Sequence, residues 1–272
     1  MVKSKRNIII YTLFAFAVIG CFVSYNILSR NKKYVDIKYQ IQYPSDTLFS
    51  QQEFSRFIST VYPSSVIGKP FDSVNLSVFE KTIETYPYIC DADVINNRGT
   101  LLIKATQEKI IAKVLNNKDE WFLLAESGKL VPKTKNNAGR ITVINGNINE
   151  GYVNNCFVFN VDTLRQNKEE GKYSSLRIAW KIACFVEKNP FWKAQISQIY
   201  VNEKQEIELV PTVGEHVVLF GSVYRHENID EVIKKKFDNL KNLYIDGFKI
   251  TGWEKYKLIN LKYGTEIPCE RK

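Results

Sequence analysis

The chain has two histidines, His216 and His226, set beside Glu215 and Glu227. They are the first groups to weigh for catalysis or metal binding. A zinc or catalytic metal needs three or four ligands at a recognisable spacing, and no third ligand stands near this pair, so both read as surface or loop histidines. Of the five cysteines, Cys21 lies in an apolar run, and Cys90, Cys156, Cys184 and Cys269 show no CxxC or CxxH spacing. In an oxidising compartment those four allow two disulfides in any of three pairings, and buried free thiols stay open as the other reading. Glu169 and Glu170 are paired carboxylates only in sequence, because adjacent side chains in a loop do not face each other across a sugar. There is no P-loop, GxSxG elbow, dinucleotide fingerprint or set of Ser-x-x-Lys boxes. Asn75-Leu76-Ser77 is a glycosylation sequon only on a eukaryotic secretory route. The expectation is therefore no catalytic residue, no metal site, no cofactor and no small-molecule substrate.

Charge excludes another class. The chain carries 38 Lys and Arg against 29 Asp and Glu, a formal net charge of +9. Six of those bases and none of the acids fall in the first 34 residues, leaving 32 bases against 29 acids elsewhere. That mixed surface is not a nucleic-acid footprint.

The bases flank residues 8–28, an apolar run whose distinctly polar side chains are only Thr12, Ser24 and Asn26. At about 1.5 Å per residue such a helix crosses a hydrocarbon core of ~30 Å. FVSYNILSR offers no small-x-small cleavage site, so the run reads as an uncleaved anchor. Lys3, Lys5 and Arg6 precede it and Arg30, Lys32 and Lys33 follow. The α-amino group and the short tail favour an N-terminus inside and a body outside the cytoplasm.

Beyond the anchor the reading is α+β. Residues 34–43 alternate as a strand before Pro44. Ser50 and Glu53 form a capping box for a helix carrying Phe54, Phe57, Ile58 and Val61. Asn75 caps a second helix with Leu76, Phe79, Ile83 and Tyr86 on one face, ended by Pro87. Two strands follow, with Cys90, Ala92 and Val94 expected inward on the first and Leu101, Ile103 and Ala105 on the second, joined by Asn96-Asn97-Arg98-Gly99. This β-α-α-β-β unit would place two helices on one face of a three-stranded sheet. From Ile110 the chain is strand-rich, with a turn at Glu126-Ser127-Gly128. A broadly apolar helix from Ser174 to about Lys188 is stopped by Asn189-Pro190. Strands are expected over KAQISQIYVN, QEIELVP and HVVLFG. A further helix carries Ile229, Ile233, Phe237, Leu240 and Tyr244, with Lys234, Lys235 and Lys236 as a solvated face. The end, YIDGFKITGWEKYKLINLKYGTEIP, reads as a final strand or strand pair.

Several segments resemble the bacterial cell-division family FtsQ, also called DivIB. IGKPFDSVNLSVFEKTIETYPYICDADV resembles the family's POTRA segment, and GTLLIKATQEKIIAKV its following strand, although Gln107, Glu108, Lys109 and Ile110 stand where the family has Glu-Arg-x-Pro. WFLLAESGKLVP resembles the family's next feature, a hydrophobic strand, an Asp-x-x-Gly turn and an apolar-Pro pair, with Glu126 in place of the Asp. IELVPTVGEHVVLFG and WEKYKLINLKYGTEIPC resemble the Bacteroidetes branch, with Ile259-Asn260-Leu261-Lys262-Tyr263 at the family's Val/Ile-Asp-Leu/Met-Arg-Tyr.

The resemblance implies a cytoplasmic tail (1–7), a transmembrane helix (8–28), a POTRA-like domain (35–108) and a C-terminal β domain with flanking helices (109–269). It implies a non-enzymatic, single-pass inner-membrane scaffold at the division septum. Such a protein binds FtsB and FtsL outside the cytoplasm and helps recruit and regulate septal wall synthesis. The implied partner site is a C-terminal edge strand meeting its partner at Lys262, Tyr263, Gly264, Thr265 and Ile267. A free strand edge can accept a partner strand through its unpaired backbone groups. By alternation Ile259, Leu261 and Tyr263 should share one face, and Asn260 and Lys262 the other. The competing readings are a membrane-tethered envelope enzyme and a POTRA protein of outer-membrane assembly. The latter normally shows repeated POTRA units or a barrel of alternating strands.

Overall fold

Short-range capping sets the first helices. In the computed structural model Glu53 N donates to Ser50 Oγ (3.2 Å) and Ser50 N to Glu53 Oε2 (2.7 Å), starting α1, Gln51–Val61. Asn75 accepts from Val78 N to start α2, Leu76–Glu84. The structure describes residues 16–21, 32–44, 46–62, 66–134, 139–151, 165–167, 172–222, 228–264 and 266–272. No helix among them is long and apolar enough to cross a membrane. The expected span at 8–28 falls outside them except for 16–21, which is helical and exposes Phe16, Val18 and Ile19. Cys156, Glu169, Glu170, His226 and Thr265 also lie outside the described residues.

The chain divides into two compact units, 1–42 with 50–106, and 43–49 with 107–272. In the first, β1 (Asp36–Gln42), β2 (Ile89–Asn97) and β3 (Thr100–Gln107) form a sheet in the order β1-β3-β2, with β1 parallel to β3. The tight β2–β3 turn has positive φ at both Arg98 (52°) and Gly99 (97°), the backbone that suits a two-residue hairpin. Phe54 and Ile58 of α1, Phe79 and Ile83 of α2, and Leu101 and Ile103 of β3 are buried. The β2 alternation slips at its start: Ile89 is buried and Cys90, expected inward, is exposed, while Ala92 and Val94 point in as expected.

The second unit is a nine-stranded mixed sheet in the order β14-β13-β12-β11-β10-β7-β4-β5-β6. Its strands are β4 (Ile110–Leu115), β5 (Trp121–Ala125), β6 (Leu130–Val131), β7 (Thr142–Gly146), β10 (Ile196–Val201), β11 (Ile207–Pro211), β12 (Val217–Gly221), β13 (Tyr256–Asn260) and β14 (Cys269–Arg271). A separate pair comprises β8 (Arg165–Asn167) and β9 (Lys172–Tyr173). Parallel neighbours cannot be joined by a tight turn and need a crossover. Helices α3 (Ser175–Lys188) and α4 (Pro190–Gln195) lie on the chain between the parallel pair β7 and β10, and α5 (Ile229–Asn242) between β12 and β13. The core joins the stripes of α3 and α5 to the sheet: Leu176, Ile178, Ile182, Ile233, Phe237 and Leu240 cluster with Ile144, Ile199, Leu209, Phe220 and Ile259.

Gln107 is buried, accepting from Leu48 N (2.7 Å) and donating to Asp46 O (2.9 Å), so it holds residues 43–49 to the second unit. Glu108 faces Lys129 at 3.9 Å and accepts from Ser127 Oγ (2.8 Å). The departure at Gln107-Glu108 thus occupies a buried polar junction.

Two expectations change. Asn189-Pro190 stops α3 as expected, but Pro190 then opens α4, which takes in residues 193–195, expected as the start of a strand. Asn189 caps it, accepting from Phe191 N (3.1 Å), and proline's fixed φ suits a first helical position. Residues 244–251, the start of the segment expected as a final strand or strand pair, stay helical, in a π-turn over Leu243–Gly247 and then α6, Phe248–Thr251. Buried Tyr244 and Phe248 extend the stripe of α5 by one further turn each, and that burial overrides the local strand preference.

Candidate partner-binding edge of the C-terminal sheet

The strand expected at the edge is not at the edge. Ile259 of β13 pairs with Val218 of β12 on one side and with Cys269 of β14 on the other, so among the described residues β14 is the outer strand at this end of the sheet. Lys262, Tyr263, Gly264 and Ile267 sit in the connection between β13 and β14, and Thr265 belongs to the same connection but is outside the described residues. The strand ends at Asn260 because the Asn260 side chain accepts from Lys262 N (3.0 Å), turning the backbone out of the ladder. Ile259 and Leu261 are buried while Tyr263, expected on their face, is 61% exposed. Ile267 returns to pack on the core.

Backbone and side-chain contacts fix this connection. Leu261 N still donates to Leu219 O (2.9 Å) and Glu266 N to Tyr263 O (3.2 Å). From α5, Lys236 Nζ donates to both Phe220 O (2.6 Å) and Leu261 O (3.0 Å), and Asn239 Nδ2 donates to Gly264 O (2.7 Å). Lys262 Nζ reaches Glu206 at 2.6 Å, in the turn between β10 and β11. Its bond to Glu206 raises the Lys262 pKa, whereas burial, with the Lys262 charge adding to it, pushes Lys236 down to about 8. Between α5 and the connection lies a concavity of about 290 Å³ lined by Ser222, Val232, Lys235, Lys236 and Lys262.

The lysine run was expected to be uniformly solvated, and Lys234 and Lys235 are exposed. Lys236 is half-buried because it falls between Ile233 and Phe237 at the margin of the apolar stripe. That placement, legible from helical spacing, was the available signal.

At the edge itself Glu270 and Arg271 are exposed and charged. Lys257 pairs with Glu270 (3.3 Å), and Lys272 pairs with Glu215 and with Glu254 (3.9 Å). Short length and charge are how natural sheets keep an edge from indiscriminate pairing.

His216 is not a surface histidine. It is 1% exposed, with Nε2 2.8 Å from Tyr244 Oη and its ring against Phe248 and Trp253. Among the described residues no group of His, Cys, Asp and Glu could hold a metal ion. Cys184 and Cys269 are free and half-buried, and burial pushes the Cys184 thiol up to about 12, which keeps it protonated and unreactive.

A family model described as FtsQ/DivIB, C-terminal related, matches residues 109–270, more than half of the chain. No curated protein matches it.

Proposed function

The chain belongs to the FtsQ/DivIB, C-terminal related family, a cell-division family, and on that premise we propose that it is a non-enzymatic division scaffold that docks a partner at its C-terminal β13–β14 hairpin. The partners are the extracytoplasmic parts of FtsB- and FtsL-like proteins. Residues 8–28 anchor the chain in the inner membrane at the septum, with residues 1–7 cytoplasmic. The exposed apolar side chains of 16–21 support that reading. The β-α-α-β-β order of residues 35–108 supports a POTRA-like domain there, ahead of the C-terminal β domain.

The observation that carries the docking site is Tyr263. A large aromatic 61% exposed on a connection fixed from three sides, next to the open edge of β14, is the kind of anchor that dominates interface energy. Lys262 and Gly264 flank it, with Thr265 and Ile267 following. A partner strand would add to β14 through its backbone.

The test is binding of the full chain in detergent to the purified extracytoplasmic part of the same organism's FtsB-like protein. Tyr263→Lys and deletion of residues 269–272 are each expected to weaken binding at least about tenfold, on the order of 1.4 kcal/mol or more, with unchanged circular dichroism. Wild-type binding by both variants would remove the site.

A further inference from the structure

We propose that Lys236 and Asn239 of α5 are positioning residues for partner binding, holding the backbone from Leu261 to Gly264 in the shape the partner meets. The inference rests on the docking reading above and deepens it.

Beyond Asn260 the β12–β13 ladder stops after the Leu261 N bond to Leu219 O, and Gly221, at φ +81°, lies where an added Cβ would meet the Lys262 side chain at 2.6 Å. The carbonyls of Phe220 and Leu261 are left facing the same gap. The Lys236 ammonium fills it and satisfies both. One helical turn on, Asn239 holds the Gly264 carbonyl, where φ is +62°. Residues three apart on a helix share a face, so one face of α5 grips the connection on either side of Lys262 and Tyr263. Fixing a free backbone residue costs conformational entropy, and the two residues between these anchors would otherwise sample many shapes.

The charges around Lys236 argue that its place is not chosen for stability. Lys262 and Lys235 line the same concavity, and Glu206, whose charge favours the Lys236 ammonium, is paired with Lys262. Burial and the Lys262 charge both disfavour the ammonium there, which accords with its lowered pKa. A methionine of similar length would relieve that cost. The loss of Lys236 would be felt at the Phe220 carbonyl of β12 and the Leu261 carbonyl of the connection, which would both lose this donor.

If the connection is unlatched, only a fraction of molecules present Tyr263 correctly, and the apparent Kd rises by the inverse of that fraction. The change appears mainly as slower association. The experiment compares full-chain wild type, Lys236→Met, Asn239→Asp and Tyr263→Lys. It reads hydrogen exchange over residues 259–267 without partner, thermal midpoint, and association and dissociation rates with the FtsB-like segment used above. Asn239→Asp keeps the shape and removes the donor on a half-buried helix position, so it tests the clamp even if Lys236→Met folds poorly. Expected are about tenfold faster exchange in the connection and about tenfold slower association for Lys236→Met and Asn239→Asp. Dissociation should stay within about twofold and midpoints unchanged. Wild-type exchange and association in Lys236→Met and Asn239→Asp, while Tyr263→Lys weakens binding, would overturn the clamp alone. Wild-type binding by Tyr263→Lys would overturn the docking reading and the positioning role with it.

Discussion

His216 shows how much a single residue's environment decides. Its neighbours in sequence, Gly214 and Glu215, suggest a turn, and the turn is there. The imidazole nevertheless points inward, into a cage of Tyr244, Phe248 and Trp253 that arrives from some thirty residues downstream. No local pattern announces a contact made at that distance. Burial, with Lys272 adding to it, holds the His216 pKa below its ordinary value. The unfolded chain regains the ordinary value near 6.5, so below that pH it binds a proton that the folded state resists. Stability from this group is therefore present at neutral pH and lost as pH falls. The difference in thermal midpoint between wild type and His216→Gln should narrow from pH 7.5 to pH 5, and parallel curves would show that His216 does not titrate in the transition. Tyr244→Phe removes the hydrogen-bond partner that the His216 Nε2 has among the described residues, and should cost about 1–3 kcal/mol in urea unfolding.

Among elements, the joint between α3 and α4 and the ladder between β7 and β10 carry the clearest tests. Asn189 ends one helix and caps the next, so Asn189→Ala should cost about 1 kcal/mol. Gly146 closes β7 at φ +101°, and a Cβ there would lie 2.2 Å from Val201 O across the ladder. Gly146→Ala should cost at least about 2 kcal/mol, combining a strained backbone with displacement of a partner strand; a smaller loss would mean that β10 can shift. The same elements show what was legible. The caps at Ser50, Asn75 and Ser174 and the period of α3 and α5 are local, and the helices start where those residues stand. The segment 244–251 misled because Ile245, Phe248 and Ile250 suit a strand. The deciding facts were burial of Tyr244 and Phe248 beneath α5, while Ile245 and Ile250 are exposed. The order of the nine strands was not legible, since three parallel pairings join segments far apart in sequence. The proposed docking residues were placed on an edge strand because alternation runs through Tyr263. The Asn260 side chain, by capping Lys262 N, ends the strand first.

For the whole molecule, the division into two units does not follow a single cut. Residues 43–49 precede α1 in sequence yet belong with residues 107–272. The attachment is specific: Gln107 binds Leu48 N and Asp46 O, Thr134 Oγ1 donates to Leu48 O (2.7 Å), and Gly139 N donates to Asp46 Oδ2 (2.5 Å). Leu48 and Phe49 are almost fully buried. A fragment beginning at residue 109, where the family match starts, lacks both this segment and Gln107. Each lost hydrogen bond is worth roughly 1 kcal/mol net, and an exposed Leu or Phe forfeits about 1.5–3 kcal/mol of burial. Fragment 109–272 should therefore unfold several degrees below the corresponding transition of the full chain by calorimetry. Gln107→Leu in the full chain should lower that transition partway, because it releases the Leu48 and Asp46 bonds while leaving Thr134 and Gly139 in place. Should the fragment melt with the full chain, residues 43–49 are carried by the second unit without stabilising it. The docking hairpin could then be studied on the fragment alone.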